Sequence, residues 1–195
     1  MRELLGPYSD VSSTIYLKRT PENPFYSHIS PVETRNIFMK FGWDFDSYTK
    51  FVFVRNPWAR LVSLYEMIYQ KASAGINKPD YPSWLYTVLP YGPGAGGEDW
   101  KRWRKYGSYS LDNYASDETG KLLVDKVIRL EDIDTELPAF LLKLGIPEAE
   151  KLHIPHINAR IKQHYAVYYT EAAREYVARM YKYDIEHYGY EFEHC

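Results

Sequence analysis

Cysteine is almost absent. Cys195, the last residue, is the only one in a chain of 195. No intramolecular disulfide can form, and a Cys-rich zinc site is excluded. Long apolar runs are absent as well. No stretch approaches the ~18 residues of a membrane span, and Met1-Arg2-Glu3 opens no secretory signal. The expectation is therefore no membrane segment and a cytoplasmic location, unless a lost N-terminus carried a signal or anchor. Net charge is also lacking: 24 Lys and Arg against 26 Asp and Glu leave −2, which argues against a globally basic nucleic-acid binder. What is abundant is tyrosine, with 20 residues. Tyrosine combines a flat apolar face with a hydroxyl, so the excess fits ring-bearing or hydroxylated ligands, or a half-wet core. Composition does not separate the two.

The length suits one domain over residues 1–195, able to bury roughly 70% of its unfolded surface. Charge is unevenly spread along it. Residues 1–110 hold 14 basic and 10 acidic residues, +4, whereas 111–195 hold 10 and 16, −6. An anionic ligand is expected to meet the first part.

Local patterns place several elements. Residues 1–27, broken by Pro7, Pro21 and Pro24, read mostly as loop. Ser30-Pro31-Val32-Glu33 has the cap serine, first-position proline and following glutamate of a capping box. It predicts a helix to about Phe41, with Ile37, Phe38 and Phe41 facing the core. Phe51-Val52-Phe53-Val54 reads as a strand buried on both faces. Asn56 and Pro57 read as cap and first residue of a helix to about Lys71. Residues 72–100 read as loop. A strand is predicted at Lys126–Leu130, a helix at Leu137–Leu144 before Gly145, and a long helix from Thr170 to Tyr188-Gly189. The strand–turn–helix unit around Arg55 predicts a parallel α/β sheet with its ligand at the strand's carboxyl end.

An arginine there, just before a helix N-terminus, can fork onto an anion that free helix N–H groups also hold. Ser63, eight residues on, adds a hydroxyl. The alternative, that Arg55 pairs with a carboxylate and Ser63 is helix surface, stands equally.

The segment Phe51-Val52-Phe53-Val54-Arg55-Asn56-Pro57-Trp58-Ala59-Arg60-Leu61-Val62-Ser63-Leu64-Tyr65 resembles the 3′-phosphate-binding segment of sulfotransferases, notably the carbohydrate group (family 2). Gly120 to Asp132 is similar to the family's later strand and Arg-x-Glu turn. His156-Ile157-Asn158, Tyr168-Tyr169-Thr170-Glu171, Tyr181-x-x-Asp184-Ile185 and Tyr188-Gly189-Tyr190-x-Phe192 are similar to its C-terminal pattern. The resemblance covers most of residues 28–192. It implies 3′-phosphoadenosine 5′-phosphosulfate (PAPS) as sulfuryl donor and co-substrate, with Arg55 and Ser63 on its 3′-phosphate, and no metal. It implies a three-layer α/β sandwich with a central parallel sheet of P-loop-kinase-like style. Enzymes of this group carry a catalytic histidine shortly before the arginine strand, in a Tyr-x-His-Ile/Val context that Tyr26-Ser27-His28-Ile29 fits. His28 is thereby expected to be the general base, a neutral imidazole taking the proton of an attacking hydroxyl.

The family's Pro-Lys loop for the 5′-phosphosulfate is not visible in residues 1–27. Val11-Ser12-Ser13-Thr14 has hydroxyls but no preceding apolar strand, and Met1 to Leu5 looks like the helix that follows such a loop. The chain is thus expected to be N-terminally truncated or degenerate at that site. Of the remaining features, Gly92 to Gly97 reads as surface loop rather than phosphate cradle. Trp100-Lys101-Arg102-Trp103-Arg104-Lys105 is either an acceptor contact, with Lys101, Arg102 and Arg104 on sulfate or carboxylate and the indoles on sugar rings, or an amphipathic helix with a solvated basic side. Arg129 and Glu131 read as a structural ion pair or turn brace. His153 and His156 lack partners at metal-ligand spacing. The tyrosines from 165 to 190 read as packing.

The expected activity is sulfuryl transfer from PAPS to a hydroxyl of a carbohydrate acceptor. A sulfotransferase-like protein that binds only the adenosine 3′-phosphate half of the donor is the alternative. A phosphoryl-transfer enzyme is a third reading, opposed by the lack of a Gly-x-x-x-x-Gly-Lys-Ser/Thr motif.

Overall fold

In the computed structural model, residues 11–70, 78–88, 107–152 and 163–194 are described. Their elements are helix α1 (Pro31–Phe41), strand β1 (Phe51–Val54), helices α2 (Pro57–Gln70), α3 (Tyr81–Val88) and α4 (Leu111–Ala115), strand β2 (Lys126–Arg129), and helices α5 (Ile133–Lys143), α6 (Glu171–Met180) and α7 (Lys182–Tyr188). The chain divides into two compact units. The first holds Met1–Phe53 and Tyr114–Ile154; the second holds Val54–Asn113 and Pro155–Cys195.

In the first unit, Thr14 and Tyr26 form an isolated parallel bridge, so residues 11–27 are less loop-like than Pro21 and Pro24 suggest. α1 begins and ends where its caps require. Ser30 Oγ accepts from Glu33 N at 3.2 Å, Pro31 opens the helix, and Gly42 ends it at φ 69, a conformation glycine adopts without a Cβ penalty. Phe38 is buried with Phe25, Phe45 and Leu123. Phe41, expected in the core, is 42% exposed; it stacks on Trp43 at the surface instead, because the helix stops one residue later.

β1 and β2 form a small parallel sheet, two strands among the described residues. β1 is not buried on both faces: Phe51, Val52 and Phe53 are half-buried and Val54 alone is buried. With one neighbouring strand among the described residues, its side chains divide by the period-two rule. Phe51 and Phe53 pack on a cluster of Ile128 from β2, Ile133, Leu137 and Leu141 from α5, and Ile146 just beyond it, and Val52 is not part of that contact. α5 starts at Ile133, four residues earlier than the sequence predicts, and carries Pro138 inside it. Position 138 lies beyond the first turn, so the proline forgoes the ladder bond a residue there would give to Asp134 O. A 3₁₀ turn (Leu130–Asp132) leads into it and takes Leu130 out of the strand. Arg129 Nε pairs with Asp132 Oδ2 at 3.3 Å across this turn.

In the second unit, α2 is the central helix. Leu61 and Val62 are fully buried, with Trp58, Leu64, Tyr65 and Ile68 nearly so. α3 falls within the segment read as loop. Tyr81, Trp84 and Leu85 are buried there, and Tyr65 packs on both Tyr81 and Trp84. The single C-terminal helix is in fact two, broken at buried Tyr181, whose φ of −115° is not helical. Thr170 caps the first through Ala173 N at 3.2 Å, and Gly189 ends the second at φ 65.

Candidate functional site

The turn after β1 reads Arg55-Asn56-Pro57. Asn56 is 7% exposed, and its side chain does two jobs. Oδ1 accepts from Trp58 N at 3.1 Å and Ala59 N at 3.2 Å; Nδ2 donates to Glu191 O at 3.0 Å. Pro57 has no N–H, and Arg60 N donates to Asn56 O at 2.8 Å. The amides of the first turn are therefore consumed by the cap, which corrects the expectation of free N–H donors at this helix start. What remains for an anion is the helix dipole, the Arg55 guanidinium and the Ser63 hydroxyl. Arg55 is half-buried and engaged with a partner of its own. Ser63 is half-buried two turns into α2.

Arg60 and Ser63 are three residues apart and so are neighbours on one flank of α2. The Arg60 Nη2 lies 3.6 Å from Oδ2 of Asp184, a residue with 0% exposure, and its guanidinium carbon lies 4.8 Å from the centre of the Tyr181 ring. The other carboxylate oxygen of Asp184 accepts from Leu111 N at 2.7 Å. Burial raises the Asp184 carboxyl above its usual range, against the opposing pull of Arg60. In the sequence Asp184 stands out only within the C-terminal family pattern Tyr181-x-x-Asp184-Ile185. Its signal was there: an acid at the centre of the apolar spacing Tyr181, Ile185, Tyr188 has to be satisfied inside.

Tyr65, Tyr81, Tyr165, Tyr168, Tyr169 and Tyr181 of this unit pack with their hydroxyls bonded. Tyr81 and Tyr169 hydroxyls meet at 2.5 Å, and Tyr169 donates to Trp58 O at 3.0 Å. Tyr168 donates to Glu66 Oε1 at 3.1 Å, and Tyr181 donates to Ser108 O. Desolvation raises the phenols of Tyr81 and Tyr169 and pushes Tyr65 and Tyr181 up to about 12, so they remain neutral donors.

His28 belongs to the first unit. It is exposed and occupies the third position of the turn Tyr26–Ile29, closed by Ile29 N to Tyr26 O at 3.3 Å. Its φ is 66°, the one positive value outside glycine among the described residues. That turn position normally takes glycine or asparagine. The turn is fastened to α1: the buried Tyr26 donates its hydroxyl to Glu33 Oε2 at 2.5 Å. A cleft of about 300 Å³, lined by Ile29, Pro31, Thr34, Lys50 and Tyr114 among others, opens beside the start of β1. Lys50 there is already bonded to Phe45 O, Tyr48 O and Asp125. A second cleft, in the second unit, is lined by Thr170, Glu171, Arg174, Phe192 and His194 among others.

Lys101, Arg102, Arg104, the Gly92–Gly97 run, His153 and His156 lie outside the described residues, as do Met1 to Leu5. Among the described residues no cluster of metal-ligating side chains occurs, and no helix is long and apolar enough to cross a membrane.

These features define a mixed α/β protein whose parallel strand β1 delivers an arginine to the start of a capped, buried helix. A family model described as "Sulfotransferase family" matches residues 16–191, which include every element from α1 to α7. The chain belongs to the sulfotransferase family, and with it to the transferases. No curated protein and no solved structure matched the chain.

Proposed function

We propose that the chain transfers a sulfuryl group from PAPS to a hydroxyl of a carbohydrate acceptor, within a three-layer α/β fold of P-loop-kinase-like style and as a single domain. The observation that carries the reading is the β1–Arg55–α2 unit with Ser63 on the helix it starts, in a chain that belongs to this family. Arg55 and Ser63 hold the donor's 3′-phosphate. A guanidinium and a hydroxyl suit that group, and because Asn56 occupies the helix amides, these side chains carry the contact themselves.

His28 acts as the base. Its left-handed backbone costs on the order of 1–3 kcal/mol in a non-glycine residue, strain of a kind that gathers at functional sites. Its exposed ring is open to an acceptor. The acceptor oxygen gives its proton to the imidazole and bonds to sulfur. The bond from sulfur to the 5′-phosphate oxygen breaks in line, and 3′,5′-adenosine bisphosphate leaves. Lys101, Arg102 and Arg104 contact the acceptor's anionic groups.

Calorimetry with 3′,5′-adenosine bisphosphate tests the donor site. Arg55→Ala is expected to weaken binding by about tenfold or more, the loss of one charge-assisted contact. Equal affinity in parent and variant overturns the assignment.

A further inference from the structure

Three ties fasten the first two turns of α2 to the C-terminal segment. Asn56 Nδ2 bonds Glu191 O at 3.0 Å, Trp58 Nε1 bonds Arg174 O at 3.1 Å, and Arg60 faces Asp184 at 3.6 Å. The first two are complete hydrogen bonds between neutral groups. The third is different. Arg60 Nε and Nη2 and Asp184 Oδ2 are buried and have no hydrogen-bond partner among the described residues.

A buried ion pair with unfilled hydrogen bonds is a poor stabiliser. The desolvation of both charges is offset only when geometry and hydrogen bonding are good, and an apolar pair of similar volume often does as well or better. The stability a fully buried aspartate brings here lies in its bond to the Leu111 amide, and the ion pair with Arg60 adds little to it. What the pair does supply is direction. The Leu111 amide fixes one carboxylate oxygen at 2.7 Å, the other faces the guanidinium, and the Tyr181 ring lies 4.8 Å from the guanidinium carbon. Arg60 is held from two sides, and with it the rotation of α2 about its own axis.

Ser63 sits one turn beyond Arg60 on the same flank. With Cα atoms about 2.3 Å from the helix axis and the hydroxyl further out, a turn of about 15° moves Ser63 Oγ by roughly 1 Å. A displacement of that size is enough to spoil a hydrogen bond to a phosphate oxygen.

We propose that Asp184 is a positioning residue for anion recognition: through Arg60 it sets the rotation of α2 that aims Ser63 at the donor's 3′-phosphate. The inference rests on the donor-site reading of Arg55 and Ser63, and its test separates the two.

The readout is the ratio of affinities for 3′,5′-adenosine bisphosphate and adenosine 5′-monophosphate, measured by calorimetry. That ratio isolates the 3′-phosphate and is insensitive to a uniform loss of folded protein. In the parent it is well above one and falls in Ser63→Ala. In Asp184→Asn it is expected to fall about tenfold, toward the Ser63→Ala value. The double variant Arg60→Met/Asp184→Leu, an apolar replacement of similar volume, keeps the core filled and guards against misfolding. It is expected to melt no lower than Asp184→Asn and still to show the reduced ratio. A double variant that melts as the parent does and retains the parental ratio overturns the positioning role and leaves the donor site standing. A parent with a ratio of one, or a ratio unchanged by Ser63→Ala, overturns the donor-site reading itself and the inference with it.

Discussion

Replacing Asn56 with alanine removes three hydrogen bonds from one buried side chain. Oδ1 caps α2 through the Trp58 and Ala59 amides, and Nδ2 ties the helix start to Glu191 O. The cap is worth about 1–2 kcal/mol. The Glu191 bond adds about 1 kcal/mol, and the buried site strands the amides rather than returning them to water. Asn56→Ala is therefore expected to lose about 2–3 kcal/mol. For a chain of 195 residues, each kcal/mol shifts the melting midpoint by roughly 2–4 °C, so the midpoint falls by about 5–10 °C. Urea unfolding followed by far-ultraviolet circular dichroism gives the free energy directly. Asn56→Ser keeps an acceptor for the amides and loses the Glu191 tie, so it is expected to fall between parent and Asn56→Ala. A loss below about 0.5 kcal/mol in Asn56→Ala, or serine as damaging as alanine, refutes the account of the cap.

Two further outcomes follow from local geometry. His28→Gly relieves the left-handed turn, worth on the order of 1–3 kcal/mol, and adds chain entropy to the unfolded state, worth about 1 kcal/mol. The melting midpoint is expected to hold or rise while sulfuryl transfer falls by about 100-fold or more; a retained rate rejects His28 as base. Asp117 accepts from the Thr119 hydroxyl and amide, the Lys121 amide and Arg35, and the Thr119 hydroxyl bond leads in lowering its carboxyl to about 2 from 3.8. A depressed carboxyl contributes stability above pH 3.8 and loses it as the pH falls through about 2. Asp117→Asn should thus be less stable than the parent at pH 7, with the gap narrowing toward pH 2 in urea titrations; a gap independent of pH contradicts the assignment.

Elements with local punctuation were legible in the chain. Ser30-Pro31 and Gly42 bound α1, Asn56-Pro57 starts α2, Thr170 starts α6 and Gly189 ends α7, since caps act through bonds to residues a few positions away. α3 was not legible. Tyr81-Pro82-Ser83-Trp84-Leu85-Tyr86-Thr87-Val88 is rich in aromatic and β-branched residues of modest helix propensity. It becomes a helix because Tyr81, Trp84 and Leu85 are buried beside Tyr65 of α2. Its one local cue was Asp80, whose Oδ1 accepts from Ser83 N at 3.3 Å. The break at Tyr181 was equally hidden, because the helical spacing of apolar residues continues across it.

At the candidate site the division is similar. The residue types alone place Arg55 between a strand and a helix, cap that helix with Asn56 and set Ser63 on it, and the match over residues 16–191 gives that segment its family. These rest on neighbours along the chain. Only the folded second unit decides that the amides of the first turn of α2 are already taken, that Glu191 and Arg174 hold it from more than 100 positions away, and that Asp184 is sealed opposite Arg60. Part of the tyrosine excess is explained at the same level. Tyr65, Tyr81, Tyr169 and Tyr181 bond one another and the backbone through their hydroxyls, and partners of that kind exist only once distant segments are brought together.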